Sequence, residues 1–96
     1  MFSIDWSMDA IEDVELHQSY IENDSPLAAL RWTEEIFAKE KLLEENAFLG
    51  RMIPEENKPT RRELIIGNFR LMYEIVSDST IVILRIKRSK QDHTEI

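Results

Sequence analysis

Seven cationic side chains fall between residues 61 and 90 of this sequence: Arg61, Arg62, Arg70, Arg85, Lys87, Arg88 and Lys90. They face only Glu63, Glu74 and Asp78 in the same stretch, a local net charge of +4. Guanidinium and ammonium groups at this density hold phosphates or carboxylates, so the chemistry on offer is charge stabilisation on a phosphodiester or recognition of an acidic surface. Arg70 is the most pointed case. It sits in the middle of an alternating stretch, where it either pairs across strands with Glu63 or Glu74 or faces a partner.

Other chemistries are poorly supplied. With only Gly50 and Gly67 available, neither a P-loop nor a dinucleotide fingerprint can be written, and there is no GxSxG motif. The absence of cysteine removes disulfides, thiol nucleophiles and thiolate metal sites together. His17 and His93 lie on different elements and neither has metal spacing to a second ligand, so no metal and no cofactor is expected. His17 is expected to be a half-buried residue of a helical hairpin. The adjacent acids Glu12-Asp13, Glu34-Glu35 and Glu44-Glu45 diverge on a helix and read as solvated faces. Met8, Met52 and Met72 are expected to fill core gaps, with Trp6 and Trp32 anchoring helices to sheet.

The whole chain, 96 residues with 12 basic and 19 acidic side chains, carries a net charge of −7, which by itself disfavours a phosphate partner. The average conceals two unlike halves. Residues 1–48 hold three basic side chains against 12 acidic ones, net −9, whereas residues 49–96 hold nine against seven, net +2. A 43% apolar, 32% charged composition is that of a soluble globular domain. No apolar run approaches a bilayer span and the N-terminus lacks the basic start of a signal peptide, so a cytoplasmic location is expected.

The elements that must position these cations follow from periodicity. Phe2, Ile4 and Trp6 alternate with polar residues, predicting a strand over residues 1–6. Ser7 is a good N-cap for a helix over 8–23, with Ala10, Val14, His17 and Ile21 on one stripe and Ile11 widening it. Asp24-Ser25-Pro26 stops that helix and starts a second over 26–46, with Ala29, Trp32, Ile36 and Leu43 inward and Leu30 and Phe37 beside them. A proline-bracketed loop, Pro54 to Pro59, leads to a three-strand meander over 61–87, turning at Gly67-Asn68 and at Ser77-Asp78-Ser79. Period two places Phe69, Leu71, Tyr73 and Ile75 on one face of its middle strand. On its last strand Ile81, Ile83, Arg85 and Lys87 oppose Val82, Leu84 and Ile86. Residues 89–96 read as a frayed tail. The fold class is α+β, β-α-α-β-β-β, a single domain in which a helical hairpin packs on a mostly antiparallel sheet.

This order of elements resembles the RelE/ParE superfamily of type II toxin–antitoxin toxins over nearly the whole chain. Ile4-Asp5-Trp6-Ser7 with Ala10 looks like the family's first strand and helix start, and Tyr20 to Pro26 followed by Ala28-Ala29 is similar to the ParE-type hairpin. Gly50-Arg51-Met52-Ile53-Pro54-Glu55 resembles the Gly-Arg-x-x-Pro-Glu segment. Arg62-Glu63-Leu64-Ile65 and Gly67 to Ile75 resemble the Arg-Glu-Leu and Tyr-Arg-x-x-Tyr strands. The departures are Ala47 in place of a frequent proline, Phe69 in place of the first tyrosine, and Arg88-Ser89-Lys90-Gln91 where His-x-x-Arg is common.

The RelE branch implies a ribosome-dependent mRNA interferase, for which Arg61, Arg70 and Lys90 fit the cationic cluster. Against that branch, Glu63 occupies a position usually basic and no tyrosine follows Tyr73. The ParE branch implies instead a plasmid-stabilising toxin that inhibits growth by binding DNA gyrase, and the hairpin motif and the incomplete nuclease set favour it. A non-toxic, antitoxin-binding module is the third alternative. Target- or antitoxin-binding residues are then expected among Arg62, Arg70, Tyr73, Arg85, Lys87, Arg88 and Lys90, with Arg85 and its followers facing the target. The resemblance further implies a cognate antitoxin whose C-terminal segment wraps the toxin, as a helix on the hairpin and a strand on the sheet edge. Direct DNA binding by this chain is not expected.

Overall fold

A computed structural model describes residues 1–89; Lys90 and the remainder of the expected tail lie outside them. The elements are β1 (Ser3–Trp6), α1 (Met8–Asp24), α2 (Pro26–Glu45), β2 (Arg51–Met52), β3 (Arg61–Ile66), β4 (Phe69–Ile75) and β5 (Thr80–Arg88). They build one five-stranded sheet in the order β1-β5-β4-β3-β2, with β1 parallel to β5 and every other pairing antiparallel. The two helices cover one face. The strand β2 has no counterpart in the sequence reading, because two residues are too few to display a period.

Local chemistry explains the element ends. Ser7 Oγ accepts from the Ala10 amide at 3.0 Å, capping α1. Ser25 closes α1 with its own N–H on the Ile21 carbonyl and opens α2 by accepting from the Ala28 amide, so one residue separates the helices. Pro26 follows at the first helical position, where its missing N–H costs nothing. At the β3–β4 turn only Gly67 has positive φ, 58°, the signature of a two-residue hairpin with glycine first.

The core is formed by Ala10, Trp32, Ile36, Leu43 and Ala47 against Ile66, Phe69, Leu71, Tyr73, Ile81, Ile83 and Ile86. Period two fails on β5 for a specific reason. Met72 pairs with Arg85 but Tyr73 pairs with Ile83, so Leu84 is an extra residue. This β-bulge reverses the alternation, sending Ile86 into the core and Arg85 out of the row of Ile81 and Ile83. Other expectations also fail. Met8 is 72% exposed and Met52 39%, so neither fills a core gap, and Leu30 and Phe37 stand outward at 55% and 52%. Asp13 is not part of a solvated face but buried.

The burial of Asp13 follows from where β1 ends. β1 pairs with β5 only from Thr80 to Ile83, so beyond that point the backbone of β5 would be an open edge under α1. Polar side chains take the place of the missing strand. Ser7 Oγ donates to the Leu84 carbonyl at 2.9 Å, Asp13 Oδ2 accepts from the Ile86 amide at 2.9 Å, and His17 Nε2 donates to the Ile86 carbonyl at 2.8 Å. Asp13 also holds Arg85 through both carboxylate oxygens, at 2.7 and 3.1 Å. At the far side, buried Tyr73 donates to the Ala47 carbonyl at 2.7 Å and accepts from the Gly50 amide at 2.9 Å, fixing the chain between α2 and β2.

Two outcomes follow. Tyr73→Phe strands a buried N–H and a buried C=O, and should lower unfolding free energy by about 1–3 kcal/mol, read as a lower urea midpoint at unchanged slope. Burial alone would raise the Asp13 carboxyl's pKa, but the bonds from Arg85 and Ile86 and the nearby positive charges outweigh it and hold it below its ordinary value of 3.8. A depressed folded pKa stabilises above the unfolded value and is lost as pH falls through the folded one. The urea midpoint of the native protein should therefore drop below about pH 4 more steeply than that of Asp13→Asn, which lacks this titration.

Candidate functional site

Of the seven cations between residues 61 and 90, four are held by partners within the chain: Arg61, Arg62, Arg70 and Arg85. On the face of the sheet turned away from the helices, Glu63 is 0% exposed and lies between two arginines. Arg51 reaches its Oε2 from Nε at 2.8 Å and from Nη2 at 2.7 Å; Arg70 reaches its Oε1 at 2.7 Å. Arg70 also holds Glu55 at 2.9 Å. Of the two acids offered to Arg70 by the sequence, Glu63 is its partner and Glu74 is not. Arg51 and Glu55 were not among the expected residues, since they lie in a loop and on a two-residue strand whose placement no periodicity announces.

Arg61 grips both carboxylate oxygens of Glu56, at 2.9 and 3.2 Å, and reaches Glu74 at 3.3 Å. Arg62 turns to the other side, where it donates to the carbonyls of Pro59 and Gly50, each at 2.8 Å, and lies 4.8 Å over the Phe48 ring. The electrostatics reflect these pairings. The Glu56 bond and the charges of Glu56 and Glu74 raise the Arg61 pKa above its ordinary value. Burial disfavours charged Arg70, but its bonds to Glu55 and Glu63 prevail and raise its pKa as well. The Arg70 bond holds the Glu55 carboxyl below its ordinary value. Burial pushes the Tyr73 phenol up, and its hydroxyl is occupied between Ala47 and Gly50.

The end of β5 differs. Arg85 is committed to Asp13, but Lys87 and Arg88 are exposed and make no ion pair with any described residue. Their neighbour Lys90 lies outside the described residues. Lys87 stands opposite Arg70 on the open face of the sheet, and Arg88 lies 5.4 Å over the Phe69 ring on the helix side. The cations expected to face a target are thus divided by the fold into paired ones inside the sheet and unpaired ones at its corner.

A second surface was not singled out in the sequence. An apolar groove of about 360 Å³ opens on the hairpin near the end of β1, lined by Trp6, Ile11, Val14, Glu15 and Phe37. Its signal was present in the exposed-side apolar residues Ile11 and Phe37, which had been placed at the margin of the core stripes. Among the described residues, no cluster of His, Cys, Asp and Glu could hold a metal ion, and no helix is long and apolar enough to cross a membrane.

Comparison with known proteins places the chain. No curated protein sequence matches it. The solved chromosomal ParDE TA system from P. aeruginosa contains a chain of similar fold, with a TM-score of 0.74 and 27% identity, covering 94% of this chain and 98% of that one. The E. coli DinJ-YafQ complex is similar at a TM-score of 0.55 and 15% identity, covering 92% and 93% respectively, and YafQ from E. coli strain BL21(DE3) at 0.53 and 16% over the same shares. These last two share the fold alone. Over residues 4–93 the sequence matches the family described as ParE toxin of type II toxin-antitoxin system, parDE. With helices, sheet order and family sequence in agreement over nearly its full length, the chain belongs to the ParE toxin family of type II toxin–antitoxin systems.

Proposed function

We propose that this ParE-family toxin arrests growth by binding a protein, DNA gyrase, in the cytoplasm, and that a cognate antitoxin masks it, an arrangement that stabilises a plasmid carrying both. The observation that carries this reading is the pairing of the cations. A ribonuclease needs positive groups free to meet charge developing on phosphate, and a group near the 2′-hydroxyl to move its proton. Arg61 and Arg70 are instead bound to carboxylates, and the Tyr73 hydroxyl is spent inside the core. What remains available is recognition. Gyrase as the target comes from the ParE branch of the family.

On this reading Lys87 and Arg88, steadied by the Arg85–Asp13 pair, form the target-facing corner, and Lys90, outside the described residues, is proposed to act with them. The antitoxin's apolar residues would enter the groove beside Phe37 as an amphipathic helix, and its acidic residues would reach the same corner. Expression of the chain without antitoxin should stop growth, and the purified protein should inhibit gyrase supercoiling. Reversing both Lys87 and Arg88 to Glu should raise the inhibitory concentration by at least about tenfold, while reversing Glu12 and Glu34 should not. Cleavage of mRNA on ribosomes with supercoiling unaffected would sink the proposal, and so would unimpeded growth with folded protein present.

A further inference from the structure

On the open face of the sheet the positive side chains converge on a carboxylate that the chain itself supplies. Residues directly opposite in an antiparallel pair share a face, which puts Arg51 and Glu63 on this side, and likewise Arg70 and Lys87. Two guanidinium forks, from β2 and β4, close on Glu63 at 2.7–2.8 Å, one to each oxygen. Lys87 stands opposite Arg70 on the neighbouring strand and makes no ion pair among the described residues. Two guanidinium forks around one point form the arrangement that would hold the oxygens of a phosphodiester. Here the place is filled by a carboxylate with no exposure to solvent.

We propose that Glu63 is the specificity-determining residue of this face, a built-in anion that shuts out phosphodiesters and so restricts the face to protein ligands. This deepens the reading of the chain as a protein-binding toxin and rests on it. A nucleic-acid phosphate approaching Arg70 meets the Glu63 and Glu55 carboxylates at hydrogen-bonding range of the same guanidinium. Drawing the arginines away to a phosphate would leave Glu63 buried and unpaired, a loss that one solvent-exposed phosphate contact does not offset. Glu63 therefore opposes phosphate by repulsion and by holding its own donors. Removing its charge while keeping its shape frees both forks.

The test is binding of a fluorescently labelled single-stranded RNA dodecamer to the full chain, by anisotropy across a salt series. It compares the native protein, Glu63→Gln, and Glu63→Gln combined with Arg70→Gln. Glu63→Gln should bind RNA at least about tenfold more tightly at low salt, and two new phosphate contacts should steepen its slope of log K against log salt by roughly 1.4. Adding Arg70→Gln should reverse most of the gain. A folded Glu63→Gln with native affinity and native slope overturns the proposal.

A second comparison does not depend on that variant folding. Native protein and Arg70→Gln should bind RNA equally weakly, and native binding that Arg70→Gln abolishes overturns the proposal too. Inhibition of gyrase supercoiling by the native protein, measured in parallel, reports on the functional reading separately, since its absence leaves the RNA comparison unaffected.

Discussion

The fold depends on how the second half of β5 is satisfied after β1 runs out. A sheet edge under a helix cannot keep bare N–H and C=O groups without a large cost, because water is excluded and no strand is there. Ser7, Asp13 and His17 supply the missing partners from successive turns at the start of α1. These bonds dock the helix on the strand and fix both its height and its rotation, which apolar packing alone would leave loose. The hairpin follows, because Ser25 and Pro26 allow α2 only one course relative to α1. The bulge at Leu84 belongs to the same arrangement, turning Ile86 into the core while its amide meets Asp13.

Charge is distributed by the same logic. Four cations of the sheet are supplied with an acid by the chain itself: Arg51 and Arg70 share Glu63, Arg61 has Glu56, and Arg85 has Asp13, while Arg62 is held by the carbonyls of Pro59 and Gly50. The local excess of positive charge in the second half is therefore largely cancelled at short range, partly by acids from the loop before β3 and from α1. At the end of β5, Lys87 and Arg88 present exposed charge with no ion pair among the described residues. A linear count of charges along the chain differs from the field a partner meets, because folding imports acids from distant positions.

Much of this is legible in the sequence itself. Ser7 and Ser25-Pro26 announce helix ends by chemistry that acts within three or four residues, and Phe69, Leu71 and Tyr73 announce a buried face by strict alternation. The Glu63–Arg70 pair is one of the two cross-strand pairings open to a mid-strand arginine that could otherwise face a partner. What stayed hidden depends on tertiary placement. Asp13 looks like any acid on a polar helix face until β5 comes to lie beneath it. Arg85 follows the row of Ile81 and Ile83 until an extra residue, invisible to a period of two, intervenes. Met8 and Phe37 share the apolar character of core residues, and only the reach of the neighbouring elements decides that they stay outside.

The parallel pairing of β1 with β5 joins Ser3 to Thr80 and Trp6 to Ile83, nearly the two ends of the described chain. The hairpins β3–β4 and β4–β5 and the pair α1–α2 close short loops, whereas this ladder closes the longest loop between paired strands of the sheet. During synthesis β1 is made before β5 and waits until β5 has emerged before its neighbour exists. Of the strands in this sheet, the one made first is thus among the last to find its place, and the sheet is complete only once β5 is available.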